Sequence, residues 1–152
     1  GNSVVGVELS DIAARAFFEE NSLRYTIRDG KLPAYTALDR DITIHCGDLF
    51  DFDEPGNTGW YDRGALVATP AEQRPAYAKH IDALLTPDAH KLLITLDYDD
   101  NIATGPPFSI PREEIRRYWP DLREIDRYDD IENGPPKFRE AGLKEMFETI
   151  WR

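Results

Sequence analysis

The sequence is poor in cysteine, with Cys46 its single example. No internal disulfide can form, no cysteine cluster can hold zinc, and a reducing cytoplasm suits the chain. Histidine is equally sparse. His45, His80 and His90 stand at no metal-ligand spacing and read as structural or surface residues, so no metal is expected. Positive charge is also short: 18 Lys and Arg face 29 Asp and Glu, a formal charge of −11. With no basic run, nucleic acid and anionic membrane are poor partners. The strongest apolar stretch, residues 92–96, is far below the ~20 residues of a membrane helix. No signal-peptide pattern opens the chain, and GxSxG, P-loop and HExxH motifs are missing. The first residue is Gly1 and a strand follows with no lead-in, as in a processed, engineered or incomplete chain.

What is present describes a soluble globular protein: 41% of residues are hydrophobic and 31% charged over a length of 152. That length predicts one domain over 1–152, able to bury roughly 68 to 70% of its extended surface. Val4, Val5, Val7 and Leu9 predict a strand. Ile12, Ala13, Ala16 and Phe17 then recur at helical spacing after a candidate N-cap, Ser10. A hairpin is expected around Asp29 and Gly30, a second strand over 42–46, and a turn-rich acidic loop over 51–59. A brief strand follows within 60–68. Thr69, Pro70 and Glu72 resemble a capping box and predict a helix over 70–85. Thr86, Pro87 and Asp88 end that helix, and Leu92, Leu93, Ile94 and Leu96 mark a strand over 91–98 covered on both faces. A short helix from Pro111 to about Trp119, a strand over 122–127, a loop through Gly134, Pro135 and Pro136, and a strand over 144–151 complete the reading. The alternation predicts a layered α/β domain with a mostly parallel sheet and a closing antiparallel pair.

Four places could carry chemistry. Glu8 ends the first strand, where open α/β sheets bind ligands and a carboxylate can accept from ribose hydroxyls; it could equally complement a helix dipole. Cys46, Gly47 and Asp48 end the next strand, as an adenine site or as an ordinary turn. Asp62 and Arg63 interrupt an apolar stretch, either as a half-buried ion pair or as an anion-stabilising Arg with an orienting carboxylate. Gly105, Pro106, Pro107 and Phe108 form a stiff loop that is a pocket wall or a plain connection.

In order, Val4-Val5-Gly6-Val7-Glu8-Leu9-Ser10, Cys46-Gly47-Asp48, Asp62-Arg63-Gly64-Ala65-Leu66-Val67-Ala68 and Gly105-Pro106-Pro107-Phe108 closely resemble the thiopurine S-methyltransferase family in its bacterial form. The Asp-Arg-Gly-Ala-Leu run favours this branch over the halide and thiol methyltransferases of plants. The resemblance implies a Rossmann-like class I methyltransferase sheet ending in an antiparallel strand pair. It implies transfer of a methyl group from S-adenosylmethionine to the sulfur of a small thiol or thiopurine-like acceptor, with S-adenosylhomocysteine as product. Carried over by motif, Glu8 binds the cofactor ribose and Cys46, Gly47 and Asp48 line the adenine. Arg63, oriented by Asp62, stands at the cofactor and the acceptor, where it would favour the thiolate. Pro106 and Pro107 wall the acceptor pocket, and Lys137 is a basic position on its acceptor side.

The family segment preceding the first strand here supplies a central strand and a loop that holds the methionine part of the cofactor; neither is among these residues. Two strands are therefore expected to show unpaired edges, the gap being filled by a segment outside these residues, by another copy in a homo-oligomer, or by a rebuilt sheet. The alternative to an enzyme is a degenerate, non-catalytic homologue acting as an oligomeric interaction module.

Overall fold

The computed structural model describes residues 2–152. The chain, read from its length as one domain, forms two compact units, 1–54 and 55–152. In the first, β1 (Val4–Glu8) leads into α1 (Asp11–Glu20), β2 (Tyr25–Arg28) and β3 (Ala34–Ala37) make a hairpin, and β4 (Ile42–Cys46) ends in a short 3-10 turn, Leu49–Asp51. The sheet order is β1-β4-β3-β2. β1 runs parallel to β4, bringing Glu8 opposite Cys46 at their carboxyl ends. The other two pairings are antiparallel.

Ser10 caps α1 as its sequence position predicts, accepting from the Ala13 N–H at 3.3 Å. The buried stripe differs from the expected one. Ala14 and Phe18, four apart, enter the core with Tyr35 and Ala37, whereas Ile12 is 80% exposed. Helical spacing identifies a stripe, but two overlapping apolar stripes run along α1, and the aromatic pair Phe18 and Tyr25, with rings 4.7 Å apart, selects between them.

The second unit comprises β5 (Asn57–Asp62), α2 (Ala65–Ala68), α3 (Arg74–Leu84), β6 (Leu85–Asp97), α4 (Arg112–Tyr118), β7 (Glu124–Asp129), α5 (Pro136–Glu140) and β8 (Phe147–Trp151). Its sheet order is β5-β6-β8-β7, with β5 parallel to β6 and the rest antiparallel. The closing antiparallel pair β7-β8 is as expected; antiparallel pairings outnumber parallel ones, so the sheets are mixed. Among the described residues β1 bonds only to β4 and β5 only to β6, so each sheet has a parallel strand at an open edge.

Three boundaries depart from the sequence reading for reasons that proline explains. α3 begins at Arg74, with Pro75 in its first turn. A helix from residue 70 would place Pro75 where an N–H must bond to the preceding turn, which proline lacks; Thr69 instead donates its hydroxyl to the Ala65 carbonyl at 2.8 Å. The expected break at 86–88 lies inside β6. Pairing jumps there from Asn57 opposite Leu85 to Gly59 opposite His90, so Pro87 falls in an irregularity that asks no ladder bond of it. The loop at 134–136 turns directly into α5, with Pro136 in its first turn. Leu93 is fully buried, but Leu92 is 39% exposed, so β6 is covered fully on one face only.

The core of this unit is built on large side chains that keep their polar atoms satisfied. Trp151 is wholly buried and donates its indole N–H to Thr95 at 2.9 Å. Trp119 does the same to Asp82 at 2.9 Å while packing against Trp60 at 4.8 Å. Trp151→Ala is expected to destabilise this unit by about 3 to 5 kcal/mol, measured as a lowered urea midpoint; a change below about 1 kcal/mol would contradict this packing.

Candidate functional site

The sequence-marked residues fall into two groups, one in each unit. In the first unit, Glu8 and Cys46 are register partners at the carboxyl ends of parallel strands, and the Gly47 N–H donates to the Glu8 carbonyl at 2.9 Å. Gly47 has a φ of +150°, and a Cβ there would lie 2.3 Å from Leu32 Cδ2, so glycine lets the chain turn closely at this edge. Glu8 uses Oε1 to accept from the Ser10 N–H at 2.8 Å. Asp48 likewise accepts from the Phe50 N–H at 2.9 Å, which opens the 3-10 turn. Cys46 is half-buried. Burial, aided by the charges of Asp11 and Glu8, raises its thiol pKa, so it stays protonated as soft apolar surface.

In the second unit Asp62 is 5% exposed and fully engaged. One oxygen accepts from the N–H groups of Gly64 (3.0 Å) and Ala65 (2.8 Å). The other accepts from the Leu66 N–H (3.0 Å) and the Tyr77 hydroxyl (2.6 Å). These four donors shape the turn that carries Arg63 and start α2. Arg63 is the outward member of the pair, its side chain 60% exposed. It does not stand as a bare cation: its Nη2 donates to Glu148 Oε2 at 3.3 Å, and the Glu148 charge raises its pKa.

Arg63, Pro106 and Pro107 line one cavity of about 460 Å³, with Val67, Leu96 and Met146 among its apolar walls and Asp130, Asn133 and Glu148 as polar groups. The proline wall is held by its backbone. The Pro106 carbonyl accepts from Lys137 Nζ at 2.7 Å and the Pro107 carbonyl from the Tyr98 hydroxyl at 2.7 Å. The Phe108 N–H donates to the Val67 carbonyl at 2.6 Å. Gly105 is sterically required, since a Cβ there would approach the Phe108 Cα to 2.7 Å. Lys137, expected on the acceptor side, is placed as a clamp on the proline wall.

Glu148 escaped the sequence reading. It lies on β8 opposite Leu96 and Tyr128, is 6% exposed, and accepts from Tyr128 through Oε1. Its signal was an acidic residue inside the apolar run Phe147 to Trp151. Asp130 and Asn133 sit in a loop with no periodic pattern to mark them.

A carboxylate at a parallel-strand end beside a half-buried thiol and a tight glycine turn is an acceptor and surface set that fits a nucleoside. A small cavity with apolar walls, one arginine and two carboxylates has the size and surface for a flat heterocycle. The family described as thiopurine S-methyltransferase (TPMT) matches residues 1–152. A thiopurine S-methyltransferase of Bordetella petrii is 43% identical, aligned over 100% of this chain and 71% of its own length. One from Marinobacter nauticus is 36% identical over 95% of this chain and 68% of its own length. Among solved structures, TehB from Haemophilus influenzae superposes with a TM-score of 0.60 at 12% identity, covering 100% of this chain and 50% of TehB. A Burkholderia thailandensis 1,6-didemethyltoxoflavin-N1-methyltransferase, solved with 1,6-didemethyltoxoflavin and S-adenosylhomocysteine, gives 0.56 at 18% identity, over 100% of this chain and 61% of that one. At these identities the structures establish the α/β, Rossmann-like fold.

Two outcomes test this geometry. Asp62→Ala, which strands three N–H groups, is expected to cost about 3 kcal/mol and to speed amide exchange at Gly64, Ala65 and Leu66; unchanged exchange would contradict the capping role. The second is alkaline. Burial, then the Asp62 charge, raises the Tyr77 pKa; burial, then Glu114, pushes Tyr118 up to about 12. A folded-state pKa above the unfolded one favours the neutral phenol in the fold. That stabilisation is complete below about pH 10 and is lost as pH rises through the folded values. Chemical-denaturation midpoints are expected to fall between about pH 10 and 12, and less steeply in Tyr77→Phe.

Proposed function

We infer that this chain, which belongs to the thiopurine S-methyltransferase family, transfers a methyl group from S-adenosylmethionine to the sulfur of a small thiol or thiopurine-like acceptor. The observation that carries this reading is the cavity in which Arg63, Pro106 and Pro107, three residues singled out by motif, meet. When bound, S-adenosylmethionine supplies a methyl group on a positively charged sulfur, already activated for displacement and released as S-adenosylhomocysteine.

What remains for the protein is mainly placement. Glu8 would hold the ribose through the carboxylate oxygen not taken by Ser10, and Cys46, Gly47 and the Asp48 turn would bound the adenine. Arg63 and the clamped wall of Pro106 and Pro107 would orient the acceptor sulfur and keep water from it. Such positioning can supply about 7 to 11 kcal/mol of a barrier without a catalytic triad. The acceptor's proton passes to solvent as its sulfur is methylated. A non-catalytic module is the less favoured reading, because the family match spans the whole chain.

The formal charge of −11 supports a small-molecule partner over nucleic acid or an anionic membrane surface. No helix among the described residues is long and apolar enough to cross a membrane; with the lone cysteine, this supports a cytoplasmic setting. A second copy joined at an open sheet edge is the homo-oligomer this reading admits, and light scattering with size exclusion tests it.

Calorimetric titration with S-adenosylhomocysteine is expected to give saturable binding that Glu8→Ala weakens about tenfold or more. Arg63→Ala is expected to lower kcat/KM for methylation of a small aromatic thiol by about 10- to 100-fold. Absence of binding in the unaltered chain, or full activity when Glu8→Ala and Arg63→Ala are combined, would sink the assignment.

A further inference from the structure

The cavity holds a charge arrangement that the family motifs did not mark. We propose that Glu148 sets its charge preference: by pairing with Arg63 it converts an anion receptor into a pocket that takes uncharged sulfur heterocycles and turns away those bearing a carboxylate. This rests on the reading that the cavity receives the acceptor.

Three observations lead there. First, Arg63 gives a donor to Glu148 Oε2 at 3.3 Å, so its charge is met inside the cavity before any ligand arrives. Second, Glu148 is the buried partner, 6% exposed, and its other oxygen accepts from Tyr128; it is held in place and poorly screened by water. Third, the charged lining residues are Arg63, Glu148 and Asp130, one positive and two negative. Lys137 adds a cation outside the lining, already bonded to the Pro106 carbonyl, which leaves the neighbourhood close to neutral. A carboxylate entering such a pocket meets two fixed like charges, and the one cation in the lining, Arg63, is already paired. A neutral thione carries N–H donors that Glu148 and Asp130 can accept, while its ring lies on Val67, Leu96 and the proline wall. Glu148 therefore acts as a positioning residue for Arg63 and as a filter on the acceptor.

The test is calorimetric binding to the full chain saturated with S-adenosylhomocysteine. The probes are 2-mercaptobenzimidazole carrying either a 5-carboxamide or a 5-carboxylate, a pair of nearly equal shape and different charge. The unaltered protein is expected to bind the amide about tenfold or more tightly than the acid. Glu148→Gln, nearly isosteric, is expected to bring the two within about twofold, a selectivity change that loss of packing alone would not produce. Asp130→Asn, at a half-buried loop position, should move the ratio the same way by about threefold and keeps the proposal testable if the Gln variant unfolds. Acid binding equal to or tighter than amide binding in the unaltered protein overturns the proposal, as does an unmoved ratio in folded Glu148→Gln. If neither probe binds, and neither is methylated when S-adenosylmethionine replaces S-adenosylhomocysteine, the acceptor reading of the cavity falls with it; binding of both without discrimination removes only the role of Glu148.

Discussion

The second unit turns on one carboxylate. Asp62 gathers the N–H groups of Gly64, Ala65 and Leu66 and the hydroxyl of Tyr77, and together these bonds tie two helices to the end of β5. The three amides start a helix of only four residues, which has no other side-chain cap; Tyr77 ties in α3. α2 in turn presents Val67, whose carbonyl receives the Phe108 N–H and so fixes the proline wall. Arg63 stands where it does because its neighbour in sequence is saturated and buried. A residue that reads in the motif as a partner of the arginine is here the fastening that makes the motif a shape.

Glu148 plays the complementary part on β8. Between them the two carboxylates divide the work that a sequence reading assigns to one: Asp62 fixes the backbone and Glu148 meets the guanidinium. A buried carboxylate that lost its arginine would be an uncompensated charge, so the pair is maintained by the desolvation cost that breaking it would incur. The cavity is thereby preorganised in both geometry and charge.

How far this was legible follows from the kind of signal each residue carries. Strand ends at Glu8 and Cys46, the cap at Ser10 and the Pro-Pro wall were readable because they depend on local chemistry, which neighbours in sequence disclose. The start of α3 differs from the capping-box pattern at Thr69 because Pro75 lacks the N–H that a helix from residue 70 requires. The buried stripe of α1 was misplaced because two apolar stripes compete, and only packing with Tyr25 and Tyr35 decides between them. Glu148 was invisible as a partner of Arg63 because 85 residues separate them, and no local pattern encodes such a meeting. Asp62 was seen, and its four donors were not, since three are backbone groups common to any sequence.

The wall of the cavity is anchored through main-chain carbonyls, those of Val67, Pro106 and Pro107. Every amino acid carries that oxygen. A side chain facing the cavity at Val67 can therefore change over evolutionary time without removing the bonds of that frame. In a fold so arranged, new acceptors become reachable by single substitutions, and the scaffold that aligns the reacting atoms is inherited unchanged.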